Sequence, residues 1–178
     1  MRTYTGIGSR ETPKDTLNLM MRIGFVLAKD DWTLRSGRAP GADQAFEQGA
    51  LLGGGSMEIY LPWAGFEKAP AREPYIVPAD QLGNWAEALD VAKMFHPAWS
   101  RCSQGARKLH ARNVYQIAGR DLLSRTEFVV CWTPGGGRGG GTGEALRMAQ
   151  AIDVPIFDLF MVDAEKQLLE FLEQGVIP

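Results

Sequence analysis

In this 178-residue chain, the residues best suited to chemistry lie in three glycine-bearing loops and on one arginine-bearing helix. The densest loop reads Thr133-Pro134-Gly135-Gly136-Gly137-Arg138-Gly139-Gly140-Gly141-Thr142-Gly143-Glu144, with six glycines before Thr142. Glycine carries no Cβ, so a ligand can approach the backbone itself. The apolar stretch Phe128 to Trp132 ahead of the loop reads as a strand. An Ala/Leu/Arg/Met stretch behind it reads as a helix from Gly143 to Ile152. A helix start offers unpaired N–H groups and the positive end of the dipole, which favour an anion. The chemistry this predicts is capture of a phosphate-bearing small molecule. The loop lacks the Lys-Ser/Thr pair of a Walker A sequence, which argues against triphosphate hydrolysis of that type. Glu144 either acts on a ligand or simply complements the dipole. The plain alternative for the whole loop is a flexible connector.

The first loop, Gly6-Ile7-Gly8-Ser9-Arg10-Glu11, has two of the three glycines of a dinucleotide fingerprint and lacks the third. Ser9 can donate to a phosphate or ribose, and Arg10 can pair with an anion through two N–H groups. An ordinary turn with an Arg10–Glu11 surface pair fits the same residues. The second loop is Ser36-Gly37-Arg38-Ala39-Pro40-Gly41-Ala42-Asp43. There Asp43 either accepts from a ribose hydroxyl or caps the following helix.

A long helix predicted over Ser103 to Leu123 places Leu109, Arg112, Asn113, Gln116 and Arg120 on one face. Val114, Ile117, Ala118 and Leu122 share another face, which must pack on a sheet. The polar face borders solvent by default, or else a dimer contact or a pocket wall. Trp63, Phe66, Tyr75, Trp85 and Trp99 gather in the irregular middle of the chain, where they stack on a base or pack the segment down. Cys102 and Cys131 are not spaced as a metal knuckle or redox pair, and neither His96 nor His110 shows a metal partner in sequence. No metal and no resident cofactor are expected.

Alternating strand and helix patterns must position these loops. Strands are predicted at Arg2 to Ile7, Trp32 to Ser36, Met57 to Leu61, Phe128 to Trp132 and Val154 to Phe157. The first helix follows Pro13, with Thr12 as its cap, and buries Leu17, Met20, Met21, Gly24, Leu27 and Ala28. The second covers Ala45 to Leu52, another Asn84 to Phe95, and the last Asp163 to Gln174. Between Pro62 and Gly83 stand four prolines, and this stretch reads as an irregular, lid-like insertion. Such alternation predicts a Rossmann-like three-layer α/β domain over residues 1–178, with a mostly parallel sheet and helices on both faces. Ligands bind such sheets beyond the carboxyl ends of the strands, where strand order reverses, and all three loops belong at that end.

Composition is that of an ordinary globular protein, 45% hydrophobic and 22% charged. No apolar run is long enough to span a bilayer and no signal-peptide pattern opens the chain, so a reducing cytoplasm is the expected compartment. The net charge of −2 argues against a general nucleic-acid binder. Residues 101–147, however, carry eight Lys/Arg against three Asp/Glu, while residues 148–178 carry one Lys and six acids.

The Leu109-to-Asn113 helix, a strand, and the Pro134-Gly135-Gly136 through Gly141-Thr142 loop together resemble the LOG-type cytokinin-activating phosphoribohydrolases. That family has a Met-His-x-Arg-Lys helix and a Pro-Gly-Gly-x-Gly-Thr-x-x-Glu loop. The Ser36-to-Asp43 loop is similar to the Ser-Gly-x-Ala-x-Gly-x-Asp segment of the DNA-processing protein A family. Both belong to the SLOG superfamily of Rossmann-like nucleotide binders, whose small single-domain members also occur in bacteriophages.

The resemblance covers most of the chain and implies a nucleotide site. Gly135, Gly136, Gly140, Gly141, Thr142 and Gly143 would hold the phosphate, and Arg112 with Arg10 would neutralise it. Gly8, Ser9, Ser36, Gly37, Asp43 and Asn113 would complete the pocket, and a residue of the 62–99 segment would cover the base. In an enzyme, Glu144 and Arg112 would be catalytic and an N-glycosidic bond would be cut. The third reading is single-stranded DNA binding. A second copy of the chain is the expected protein partner, and no membrane is. Three departures stand out: Asn113 replaces the family's Lys, the loop is longer by several glycines, and Glu144 follows Thr142 by two residues instead of three. One residue of shift on a helix turns a side chain by about 100°.

Overall fold

A computed structural model describes residues 1–70, 72–137 and 139–175. Arg138 of the glycine loop, together with Ala71 and the last three residues, therefore lies outside the described residues. The elements run β1 (Thr3–Gly6), α1 (Lys14–Lys29), β2 (Thr33–Ser36), α2 (Ala42–Gly53), β3 (Met57–Leu61) and β4 (Ile76–Pro78). They continue as α3 (Trp85–Phe95), α4 (Gln104–Ala118), β5 (Phe128–Cys131), α5 (Gly140–Ala151), β6 (Ile156–Asp158) and α6 (Ala164–Gln174). All six strands are parallel, in the order β4-β3-β2-β1-β5-β6.

Strand periodicity divides the core into two layers. On β5, Phe128 and Val130 join one apolar cluster while Val129 and Cys131 join the other. The first cluster takes Met20 and Leu27 from α1, Phe46 and Ala50 from α2, and Leu168 from α6. The second takes Ala88 and Ala92 from α3, Val114 and Ile117 from α4, and Ala145 and Ala149 from α5. Three helices thus cover each face, which is why both faces of the strands are apolar. No helix is long and apolar enough to cross a membrane among the described residues.

Several local expectations are corrected. The 62–83 segment contributes β4, which pairs with β3 through Ile59–Ile76 and Leu61–Pro78. Three residues ending in proline give little strand signal, and proline is tolerated there because β4 is an edge. Thr12 does not cap α1; its hydroxyl donates to the Ser9 carbonyl at 2.7 Å. Leu17 and Met21 of α1 are only partly buried. Helix α2 begins at Ala42, so Asp43 lies inside its first turn instead of capping it. Helix α4 stops at Gly119, whose φ of +74° ends it before Leu123. Helix α5 begins at Gly140, three residues earlier than its apolar pattern suggests. The glycine loop is correspondingly shorter.

Candidate functional site

Strand order reverses between β1 and β5, and the chain there opens a cleft of about 610 Å³. The first loop forms its floor by extending β1 along β5. Ile7 N–H donates to the Val130 carbonyl at 3.2 Å, and Ser9 N–H to the Trp132 carbonyl at 3.1 Å. Ser9 Oγ then accepts from Glu11 N–H at 3.1 Å, turning the chain away from the sheet. The glycine loop is pinned at its start by Asp158 of β6, whose Oδ1 accepts from Thr133 N–H at 3.1 Å and from Phe160 N–H at 3.1 Å. Gly135, Gly136 and Gly140 take φ values of +68°, +67° and +63°, which side chains disfavour. These turns bring Gly139, Gly140, Gly141 and Thr142 onto the cleft as the opening of α5.

Arg112 forms the opposite wall from α4 and is buried. Its Nη1 donates to the Gly37 carbonyl and, at 3.2 Å, to the Tyr60 carbonyl, so it ties the ends of β2 and β3 together. Its Nε donates to Asn113 Oδ1 at 3.1 Å, and its guanidinium lies over the Phe66 ring, 5.8 Å from the centroid. Gly37 is required here: a Cβ at this position would stand 1.6 Å from Arg112 Nη1. Asp43 faces Arg112 across 4.0 Å. Burial pushes the Asp43 carboxyl up to about 6, against the pull of Arg112 and of N–H groups from Ala39, Gly8 and Gly37. The same burial pulls Arg112 down. Asp43 thus latches the first and second loops to the arginine.

Glu144 points elsewhere. It is 1% exposed, its Oε2 lies 3.0 Å from His110 Nδ1, and it accepts from Asn113 Nδ2 at 3.1 Å. Burial raises its carboxyl, and the contacts with His110 and Asn113 oppose that rise. Asn113 Nδ2 also donates to the Gly141 carbonyl at 3.1 Å, fixing the start of α5 against α4. Where the LOG pattern has a lysine, this chain has a neutral hinge between α4, Glu144 and the glycine turn.

Of the residues singled out in the sequence, Gly8, Ser9, Arg10, Asp43, Arg112, Asn113, Gly140, Gly141 and Thr142 line the cleft. Ser36, Gly37, Gly135, Gly136, Gly143 and Glu144 are not among its described lining residues. Ser36 Oγ donates to the Gly6 carbonyl at 2.6 Å, joining β2 to β1, and Gly143 is buried inside α5. The polar face of α4 is not solvated: His110 through Ala118 are all buried, and Arg112, Asn113 and Gln116 form a pocket wall. None of the five aromatics lines the cleft either. Trp63 packs edge-on against Phe66, while Trp85 stacks on Tyr115 across the sheet from them, so the five do not form one group. Among the described residues, none of the 62–99 segment lines the cleft.

With the geometry established, the solved structure of the Moco carrier protein of Chlamydomonas reinhardtii is informative. It aligns with 99% of this chain and 87% of its own, at 16% identity and a TM-score of 0.52. The two share a fold. A second structure of that molybdenum cofactor carrier protein covers 96% of this chain and 99% of its own, at 19% identity and a TM-score of 0.44. No protein-family model matches the sequence, and no curated protein matches it.

Gln116, like Glu11 and Thr133, is a polar cleft residue that sequence reasoning passed over as a ligand group. It lies one helical turn after Arg112, lines the cleft, and its buried Nε2 has no hydrogen-bond partner among the described residues. The signal was its spacing of four from Arg112 on one helix face. The histidines also differ from expectation. Cys102, His96 and His110 converge, with ligating atoms all within 4.8 Å of one another.

Proposed function

We propose that this chain is a SLOG-type carrier that holds a phosphorylated nucleotide or nucleotide-derived small molecule without cleaving it. The cleft supplies the means of holding. The N-terminal turn of α5, built from Gly140, Gly141 and Thr142, presents backbone N–H groups to an anion. Arg112 and Arg10 add positive charge. Asp43, Ser9 and the Gln116 Nε2, unpartnered among the described residues, offer acceptors and donors for hydroxyls or a base edge. A cleft of about 610 Å³ fits a ligand of nucleotide size.

The single observation that carries the second half of the proposal is Glu144. A residue cleaving a glycosidic bond must reach the reacting atoms. Here Glu144, the acid that the LOG pattern would use, spends its carboxylate on His110 and Asn113 within the packed core, while Asp43, which does line the cleft, is engaged by Arg112 and by N–H groups of Ala39, Gly8 and Gly37. The Moco carrier's fold is therefore a fitting precedent for holding a small molecule, and the molybdenum cofactor joins nucleoside phosphates among the cargoes to test.

The test is a thermal-shift panel of nucleoside 5′-monophosphates and related phosphorylated compounds, followed by chromatography of the mixture. A carrier stabilised by its cargo gains about 2.7 kcal/mol at a ligand concentration a hundred times Kd. The ligand must come back intact. Appearance of free base that Glu144→Gln abolishes would overturn the proposal.

A further inference from the structure

The convergence of His96, Cys102 and His110 places a second ligand set behind the wall of the cleft. His96 follows the end of α3, Cys102 follows the 3-10 turn Trp99–Arg101, and His110 lies on α4. Cys102 Sγ is 3.7 Å from both ring nitrogens of His96, and the two imidazole rings are 4.2 Å apart between centroids. All three offered ligand atoms fall within 4.8 Å of one another. A tetrahedral zinc ion with bonds of about 2.0–2.3 Å separates its ligands by roughly 3.3–3.7 Å. The cluster is therefore about one ångström more open than a loaded site, within the reach of side-chain rotation.

The surroundings add an independent observation. His110 Nδ1 is engaged by the buried Glu144 carboxylate at 3.0 Å, which leaves Nε2 for a metal. A carboxylate on the distal nitrogen is the usual support of a metal-bound imidazole, because it fixes the ring and raises its basicity. A thiolate and this carboxylate would supply two negative charges to a dication beside Arg147, whose Nε donates to the Phe95 carbonyl at 2.8 Å. Metal binding at His96 has one local cost. Its Nδ1 accepts from Ala98 N–H at 3.2 Å, and that bond is given up either way: an ion on Nδ1 takes the lone pair, and an ion on Nε2 requires the proton on Nδ1.

We propose that His96, Cys102 and His110 form a binding site for one zinc-like transition metal ion, with Glu144 supporting His110 and water completing the coordination. Two nitrogens and one sulfur favour zinc or its spectroscopic substitute cobalt over magnesium or calcium, which prefer oxygen. The ion would join the α3–α4 connection to α4. Through Glu144 and Asn113 it would also brace the start of α5. This assignment is independent of what the cleft holds.

The test uses reduced, tag-free full chain stripped with a chelator, titrated with zinc and separately with cobalt. One zinc per chain is expected, together with the near-ultraviolet thiolate-to-cobalt absorption that reports sulfur ligation. Cys102→Ser must remove that absorption and weaken zinc binding at least tenfold, whereas Cys131→Ser, on the sheet, must leave both in place. Glu144→Gln is expected to weaken zinc by about 10- to 100-fold while keeping the cobalt–sulfur band. Absence of the band in the native chain, or zinc uptake unchanged by Cys102→Ser, would overturn the site. An unchanged zinc affinity in Glu144→Gln would remove the role given to Glu144. Nucleotide thermal shifts measured with chelator present separate this outcome from failure of the carrier reading.

Discussion

Oε2 of Glu144 lies 3.0 Å from Nδ1 of His110, and this contact turns the acid of the glycine loop away from the cleft that the loop helps to build. The same oxygen accepts from Asn113, whose amide also holds the Gly141 carbonyl. One carboxylate thereby organises the junction of α4 and α5. A structural duty of this kind has different mutational consequences from a catalytic one.

In the metal-free chain, Glu144→Gln keeps a hydrogen-bonding group of the same shape and is expected to shift stability by no more than about 1 kcal/mol. Glu144→Ala leaves the His110 and Asn113 groups without their buried partner and is expected to cost about 1–3 kcal/mol. Chemical denaturation of both variants checks this difference. Nucleotide affinity in Glu144→Gln should stay within about threefold of the native chain.

Gly141→Asp tests the anion cradle without disturbing the fold. Space is open where its Cβ would stand, and an acid in the first turn of a helix contributes about 0.3–1 kcal/mol of stability. The new carboxylate faces the place assigned to a phosphate. Melting temperature is expected to hold or rise, while titration calorimetry with a nucleoside monophosphate should show at least a tenfold loss of affinity.

Gly37→Ala does the reverse. Its Cβ would overlap the Arg112 guanidinium, which then has to leave the Gly37 and Tyr60 carbonyls and the Asp43 carboxylate. Breaking a buried charge pair costs about 3–5 kcal/mol. Denaturant titration should show a loss of that order, with ligand binding lost alongside it.

Stability should also depend on pH in a characteristic sense. Asp43 is raised by burial from 3.8 to about 6, so the folded state holds its proton more tightly than the unfolded chain does. Its contribution is fully present below pH 3.8 and is lost as pH rises through about 6. Glu47 and Glu144 are raised in the same direction, also by burial. Unfolding free energy measured from pH 7.5 down to 5 is therefore expected to gain from these groups, and Asp43→Asn should flatten the part of the slope near pH 6.

The sheet, its layers and the three loops were legible because strand and helix periods alternate clearly and glycine marks the strand ends. Strand β4 was not, since three residues ending in Pro78 are read as a strand only once β3 lies beside them. The start of α5 was hidden because glycine has poor helix propensity, although Gly140 and Gly141 occupy its first turn. For Glu144, the unusual spacing from Thr142 hinted at a changed direction, but its pairing with His110 depends on how α4 packs against α5. His96, Cys102 and His110 carry no regular spacing, and the turn after α3 alone brings them together. Gln116 needed the burial of the polar face of α4 to become visible as a cleft group.

On the proposed reading, the cleft returns its ligand intact. Native mass spectrometry of the chain after prolonged incubation with a nucleoside 5′-monophosphate tests it most directly. The expected spectrum shows one intact nucleotide per native chain and none on Gly141→Asp. A bound ribose phosphate with free base in solution, or equal occupancy of both proteins, would contradict it.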